Sequence, residues 1–312
     1  MIATLTRFII LLQLATLATV SWLFIHFAVI TAPAPALLAS AGILSALRAA
    51  IIFNNYLLSG ALMQRMGDGT RPPALGLGAR IAQEFWCSML CWFRLFPFAR
   101  PAVVALNGDR GLPVLLLHGF GANSGFWAPL AERLRQAGIS HATTDLEPVL
   151  GGIDDYADLI EAQATLLCAA TGATQMIVVG HSMGGLAARA WMRRHGSARL
   201  ARLVTLGTPH FGSWLASYGG GRNARQMVPP GDDPGAWLNQ LASSESPAVR
   251  GRVLSLWSRH DNIVSPQTSA VLPGAENVAL DLIGHVALGF DPAVLDRVMA
   301  EINSVRRSRS TA

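Results

Sequence analysis

The stretch that most restricts this chain is Val178-Val179-Gly180-His181-Ser182-Met183-Gly184-Gly185. An apolar run from Met176 to Val179 reads as a buried strand; it stops at G-H-S-M-G, and Leu186-Ala187-Ala188-Arg189-Ala190-Trp191-Met192 continues with helical composition. The result is a strand, a sharp elbow and a helix with a serine at the tip. So tight a turn tolerates only small residues two before and two after the serine, and Gly180 and Gly184 hold those places. Ser182 also falls at a helix N-terminus, where free N–H groups favour developing negative charge.

A serine hydroxyl is a weak nucleophile at neutral pH and needs a base, and the base needs an orienting carboxylate. His285 follows the last strand-like run in Ile283-Gly284-His285-Val286, and Asp261 follows the run before it in Arg259-His260-Asp261-Asn262. The chain order is then Ser182, Asp261, His285, as in the α/β-hydrolase arrangement. His210 and His260 are weaker bases because they follow the wrong strands, and His118 suits a loop-fixing hydrogen bond. Asp145 is the main rival to Asp261, while Asp281 reads as lying inside a strand.

From about Pro101 onward, strand-like runs alternate with helical ones. Strands are expected at Ala102–Leu106, Val114–Leu117, Ser140–Thr144, Met176–Val179, Arg202–Leu206, Val253–Trp257 and Val278–Ile283. Helices fall at Ala128–Ala137, Tyr156–Ala170 and Pro292–Val305, which implies an α/β fold with a mainly parallel sheet covered on both faces. An insertion at about 211–250 is too long for a plain connection. It reads as a cap over Ser182, with Phe211, Trp214, Leu215, Trp237 and Leu238 as acyl-binding candidates or, on the other reading, as a fixed helical hairpin.

The pieces His118-Gly119-Phe120-Gly121, the G-H-S-M-G-G elbow, Gly207-Thr208-Pro209-His210-Phe211-Gly212-Ser213, Asp261-x-x-Val264-x-Pro266 and Gly284-His285 cover about residues 113–290. Together they resemble the bacterial lipase/esterase branch of the α/β-hydrolase superfamily, and the G-T-P-H-x-G block is similar to that of triacylglycerol lipases and of the GPI inositol-deacylase-like group. The resemblance implies Ser182 as nucleophile, His285 as general base and then acid, Asp261 as its orienter, and the backbone N–H groups of Phe120 and Met183 as the oxyanion hole. It implies a serine ester hydrolase with an apolar acyl substrate and no metal or organic cofactor. A thioesterase, a phospholipid acyl hydrolase or an acyltransferase would use the same parts; a membrane scaffold on a hydrolase fold would keep them without turnover.

The departure from secreted lipases lies at the start. Hydrophobic residues make up 51% of the 312-residue chain and charged residues only 14%, and the apolar excess sits in residues 1–64. Phe8–Thr31 carries no charged side chain and exceeds the roughly 20 residues that span a bilayer, too long for a typical cleaved signal. Thr31-Ala-Pro-Ala-Pro35 reads as a break. Ala36–Met63 is a second apolar stretch interrupted by Arg48 and Asn54-Asn55-Tyr56, read as a second span in preference to a helix lying on the membrane. With two spans the flanking Arg7, Arg65, Arg71 and Arg80 place both ends and the catalytic domain in the cytoplasm; with one span the domain lies outside.

Residues 65–100 are expected to hold a Gly/Pro-rich linker, Gly67–Gly78, and an aromatic helix with Phe85, Trp86, Met89, Trp92, Phe93 and Phe96 on a stripe that suits either core or membrane interface. The hydrolase domain is then 101–305 and a basic tail 306–312. All 24 basic residues are arginine, spread apart from Arg306-Arg307-Ser308-Arg309, so the charge of +5 points to no nucleic-acid partner. Cys87, Cys91 and Cys168 lack metal-ligand spacing, and Cys87 and Cys91 suit two thiols on one helix face.

Overall fold

The computed structural model describes residues 1–65, 76–231, 233 and 236–310. Most of the linker expected from Gly67 and the last two residues of the basic tail lie outside the described residues.

Seven strands form one sheet: β1 (Val103–Val104), β2 (Val114–Leu117), β3 (His141–Thr144), β4 (Met176–His181), β5 (Leu200–Leu206), β6 (Val253–Ser258) and β7 (Glu276–Leu280), in the order β1-β3-β2-β4-β5-β6-β7. Only β1 runs antiparallel to its neighbour. The reason for continuous apolar runs is visible in β2 and β4. Leu115, Leu117, Met176 and Val178 point into the core under one face, and Val114, Leu116, Ile177 and Val179 into the core under the other. Each such side chain is fully buried, at about 1.5–3 kcal/mol of favourable transfer apiece.

Five helices pack around this sheet or begin beside it: α4 (Ala128–Gln136), α5 (Tyr156–Thr171), α6 (Met183–His195), α10 (Pro292–Ser310) and, from the N-terminal region, α3 (Leu77–Leu90). The insertion after β5 holds three short helices, α7 (Arg222–Gln226), α8 (Trp237–Ser243) and α9 (Pro247–Arg250). Arg306 belongs to α10 rather than to a free tail, because Asp109 accepts its Nη2–H at 2.5 Å. Asp281 lies just past β7, not inside a strand, and pairs with Arg259 at 2.9 Å on the surface.

The chain leaves β2 towards β3 on one side and returns to β4 on the other. The carboxyl ends of β2 and β4 therefore diverge at a topological switch point, the crevice where open α/β sheets bind ligands. His118-Gly119-Phe120 leaves one strand there and Ser182 leaves the other.

Residues 1–65 form an antiparallel hairpin of α1 (Ile2–His26) and α2 (Pro33–Arg65), joined across by a Ser21–Ser40 hydroxyl hydrogen bond of 3.0 Å. Both helices are long and apolar enough to cross a membrane, with mean hydropathy 2.2 and 2.0, and Phe8, Leu11, Trp22, Leu38 and Leu47 are exposed along them. The break falls at 27–32, earlier than expected: Pro33 and Pro35 open α2, where a missing N–H has no partner to lose. α2 runs as one helix through the polar Asn54-Asn55-Tyr56 stretch onto the α/β domain. Arg48 is accommodated by stacking, its guanidinium 5.6 Å from the Trp92 ring and 5.7 Å from that of Phe93.

The aromatic stripe divides between its two expected roles. α3 runs on into a π-helical turn (Cys91–Leu95) and a 3-10 turn (Phe96–Phe98); Phe96 is buried and Trp92 packs on the core, while Trp86, Phe93 and Phe98 are exposed. Cys87, Cys91 and Cys168 are free thiols, and burial, with Glu84 nearby, pushes the Cys87 thiol up to about 12.

Candidate active site

Ser182 occupies the elbow between β4 and α6 with φ 53° and ψ −126°, a conformation that a side chain adopts only under constraint. Its carbonyl accepts from the Thr208 hydroxyl at 2.9 Å and from Gly185 N–H at 3.1 Å, and its own N–H donates to Leu206 O at 2.9 Å. Thr208 thus ties the loop after β5 to the elbow. The helix that follows lies so close to β2 that a Cβ on Gly184 would run into the Leu117 carbonyl, and one on Gly180 would stand 2.7 Å from Gly185 N. Met183 opens α6, whose first-turn N–H groups have no acceptor within the helix.

Asp261 follows β6 and His285 follows β7, and Asp261 Oδ2 lies 2.7 Å from His285 Nδ1. The other carboxylate oxygen accepts from the N–H groups of Ile263 and Val264, both at 2.8 Å, which fixes the carboxylate plane. The Asn262 side chain in turn accepts from His285 N–H at 3.0 Å. Gly207, at φ +54°, makes room: a Cβ there would lie 3.0 Å from Asp261 Oδ2 and 3.3 Å from His285 Nδ1. Burial works to lower the His285 pKa, but the Asp261 charge and hydrogen bond, helped by Glu84, outweigh it and leave the imidazole above its ordinary value.

The remaining candidates are engaged elsewhere. His118 donates through Nδ1 to Gly119 O (2.9 Å) and accepts through Nε2 from Leu146 N–H (3.0 Å), so it is a neutral brace under the loop carrying Phe120. His210 is buried between Arg189 and Thr205, each at 3.3 Å, and desolvation together with the Arg189 charge holds its pKa well down. His260 accepts from Leu282 N–H at 3.0 Å. Asp145 accepts from Ser124 N–H at 2.7 Å and lies 3.9 Å from His118, not beside His285. Among the described residues no group of three or more His, Cys, Asp or Glu side chains could hold a metal ion.

Two cavities meet at Ser182. One, about 590 Å³, lies between the insertion and α2, with Leu215, Tyr218 and Met227 on one wall and Asn54, Asn55 and Leu58 on the other. The second, about 350 Å³, is lined by His285 and by Ser88, Cys91, Trp92 and Phe96. Phe120 borders both.

Of the five expected cap contacts only Leu215 lines either cavity. Phe211 and Trp237 pack on the core around α6, Leu238 is buried in it, and Trp214 is partly exposed. The cause is polar as well as apolar: Trp237 Nε1–H donates to Asp154 at 2.7 Å while Arg193 stacks 5.6 Å from its ring, which anchors α8 away from the serine.

Three contributions escape sequence reasoning. Glu84, fully buried on α3, accepts from the N–H groups of Val286 (2.9 Å) and Ala287 (3.0 Å), directly after His285. Burial raises its pKa, while those two hydrogen bonds and His285 pull the other way. Ser59 of α2 accepts from Gln267 Nε2 at 2.7 Å, and the same amide donates to Asp261 O at 2.7 Å. The wall residues Asn54, Asn55 and Leu58 are the third. The signal available was Glu84 itself, an acid on an otherwise aromatic helix.

Residues 113–223 match the sequence family described as alpha/beta hydrolase fold. Over 130 residues the chain is 30% identical to a triacylglycerol lipase of Burkholderia plantarii, covering 38% of this chain and 36% of that protein. Over 114 residues it is 30% identical to a triacylglycerol lipase of Pseudarthrobacter phenanthrenivorans, covering 34% of this chain and 35% of the relative. The chain thus spans about a third of the length of these curated relatives. Among solved structures it is similar to the mature lipase BlEst2 of Bacillus licheniformis (TM-score 0.56, 18% identity, 65% of this chain and 98% of that one). It is also similar to lipase B of Aspergillus fumigatus (TM-score 0.51, 15% identity, 62% and 54%). The strand order, the elbow at the switch point, the matched segment and these likenesses agree: the chain carries the α/β-hydrolase fold, preceded by two long apolar helices.

Proposed function

We propose that this chain is a membrane-anchored serine ester hydrolase acting on apolar acyl esters. The observation that carries the reading is the Asp261–His285 pair at 2.7 Å, on a cavity that His285 shares with the strained elbow serine.

In this reading Ser182 Oγ attacks the ester carbonyl carbon as His285 Nε2 takes its proton, and Asp261 holds the imidazole and stabilises the imidazolium. The carbonyl oxygen becomes an oxyanion facing the N–H groups of Phe120 and Met183, each such donor being worth about 3–4 kcal/mol in comparable sites. The tetrahedral centre collapses, the C–O bond to the alcohol breaks, and His285 returns the proton to the departing oxygen. Water then repeats the cycle on the acyl-enzyme and frees the acid. The triacylglycerol lipase relatives support an ester substrate, and the apolar lining by Leu58, Leu215 and Met227 supports a long acyl chain.

The apolar hairpin supports membrane anchoring, with its open end on the catalytic domain: Ile2 is buried against the core that holds Phe96, and α2 reaches Gln267. That arrangement favours two spans with both ends on one side, which the arginine distribution makes the cytoplasmic side. Hydrolysis of p-nitrophenyl esters of graded chain length by the detergent-solubilised full chain, beside Ser182→Ala, tests the activity. Turnover that rises with length and vanishes in the variant is the expected result. Activity untouched by the substitution, or no reaction of Ser182 with a fluorophosphonate probe, would overturn it.

A further inference from the structure

The two cavities at Ser182 are not equivalent, and the difference assigns them. An ester presents two groups to the nucleophile, one on the carbonyl carbon and one on the departing oxygen. The departing oxygen must receive its proton from His285, so the alcohol part has to lie in the space that His285 borders. Only the 350 Å³ cavity is bordered by His285 and Val286, while the 590 Å³ cavity shares Ser182, Phe120 and Ile263 with it and has no contribution from the histidine. The acyl chain is left with the larger space. Both volumes lie in the ~300–1,000 Å³ range of sites that enclose most of a small ligand.

What surrounds the alcohol side sets its chemistry. Trp92, Phe96 and Phe126 line it together with Cys91 and Ser88, and among the described residues no arginine, lysine, aspartate or glutamate side chain borders it. A charged or strongly hydrated leaving group would lose its water there without a partner. Both spaces, moreover, are walled by the N-terminal region: Asn54, Asn55 and Leu58 of α2 on the acyl side, and α3 with its π-helical turn on the alcohol side. All of these residues precede the segment 113–223 that matches the hydrolase family.

Resting on the ester-hydrolase reading above, we infer that Asn54, Asn55 and Leu58 of α2 and the Ser88–Phe96 stretch of α3 and its π-helical turn form the specificity-determining walls of a two-armed site. It takes uncharged esters that are apolar on both sides of the ester bond, the acyl chain between α2 and the insertion and the apolar alcohol against Trp92 and Phe96. The anchor is then part of the substrate site, and the natural substrate is a neutral lipid ester in preference to one with a charged head group on the leaving side.

The test uses the full chain in detergent micelles with two esters that are long on opposite sides, ethyl palmitate and hexadecyl acetate. Leu58→Trp fills the acyl space and Ser88→Trp the alcohol space. The ratio of ethyl palmitate to hexadecyl acetate turnover should fall about tenfold or more in the first variant and rise about tenfold or more in the second, the shift expected when a pocket contact worth 1–3 kcal/mol is lost. Fluorophosphonate labelling of Ser182 verifies that each variant is folded; a variant that does not label is replaced by Leu58→Phe or Ser88→Phe. Opposite shifts would overturn the assignment of the two spaces, and equal shifts would overturn their separation. A wild-type protein that cleaves ethyl palmitate but not hexadecyl acetate would overturn the apolar-alcohol inference and leave the hydrolase reading standing. Failure of the wild type to label would instead remove that reading itself.

Discussion

Asp261 and His285 meet at 2.7 Å although they stand 24 positions apart in the chain, because β6 and β7 lie side by side and each delivers its residue just past its carboxyl end. Gly207, on the neighbouring strand's exit, leaves the space in which they meet. The contact fixes which ring nitrogen is tied up and so which one is available to the serine. Asp261→Asn should lower kcat by about 10⁴-fold, since an amide no longer selects the tautomer or supports the imidazolium. Asp145→Asn, which touches Ser124 and lies near His118 instead, should stay within about tenfold of wild type. Ester turnover of the two variants under identical conditions is the measurement.

The rate should depend on pH in a direction set by the same pair. The proposed mechanism needs neutral His285, and the imidazole sits above its ordinary value of 6.5. The acid limb of kcat/KM should accordingly fall above pH 6.5, with activity rising as pH rises through it. In Asp261→Asn the burial remains and the charge is gone, so the limb should move below 6.5. Stability runs the other way: the pair's contribution is whole below the unfolded histidine's pKa and is lost as pH rises through the raised folded value. A pH–rate profile and urea midpoints across the same range check both signs.

Glu84 holds the turn that carries His285. Replacing it with Gln substitutes an NH2 group for one of two acceptors, so either Val286 or Ala287 loses its partner in a buried site. The cost should be about 1–3 kcal/mol in stability, and kcat should fall about 10- to 100-fold with the binding of substrate less affected. Thermal denaturation and the kcat-to-KM split distinguish this from a loss of packing alone, and Glu84→Asp should recover little because its shorter arm cannot reach both N–H groups.

Gly184→Ala would put a methyl group into the Leu117 carbonyl, where backbone faces backbone and neither side can rotate away. Overpacking of that kind costs about 1–3 kcal/mol. The elbow would have to open, so loss of fluorophosphonate labelling should accompany the drop in melting temperature. A variant that melts lower yet labels at the wild-type rate would show that Ser182 does not depend on the close approach.

How far the chain could be read before its structure depends on how far apart the interacting residues lie. β2 and the strand–elbow–helix at Ser182 are local patterns: the bounds of the two strands match to within two residues, and the helix runs three residues beyond the expected stretch at each end. Asp261 and His285 were reachable because each follows a strand-like run, and position after a strand in a parallel sheet is position at one end of it. Trp237 and Leu238 were misplaced for the opposite reason: apolarity says that a side chain will be covered, not by what, and Asp154 and Arg193 hold that helix against the core. Glu84 is marked only as an acid on an otherwise aromatic helix, and Ser59 and Leu58 carry no local mark of their roles. The hydrogen-bond partners of Ser59 and Glu84 lie more than 200 residues further along, and only the packing of α2 and α3 against the sheet brings them together.

The Ser59–Gln267 hydrogen bond joins residues 208 apart in the chain. A contact of that separation closes one of the largest loops and is therefore among the last to form, after the strands between have paired with near neighbours. During synthesis α2 precedes β6 and β7, so its Ser59 must wait for Gln267 even though Ile2 and Arg48 already have Phe96 and Trp92 to pack against. The sheet would thus be nearly complete while the proposed site is still unassembled, and competence would arrive only when the early helices and the late loops lock together.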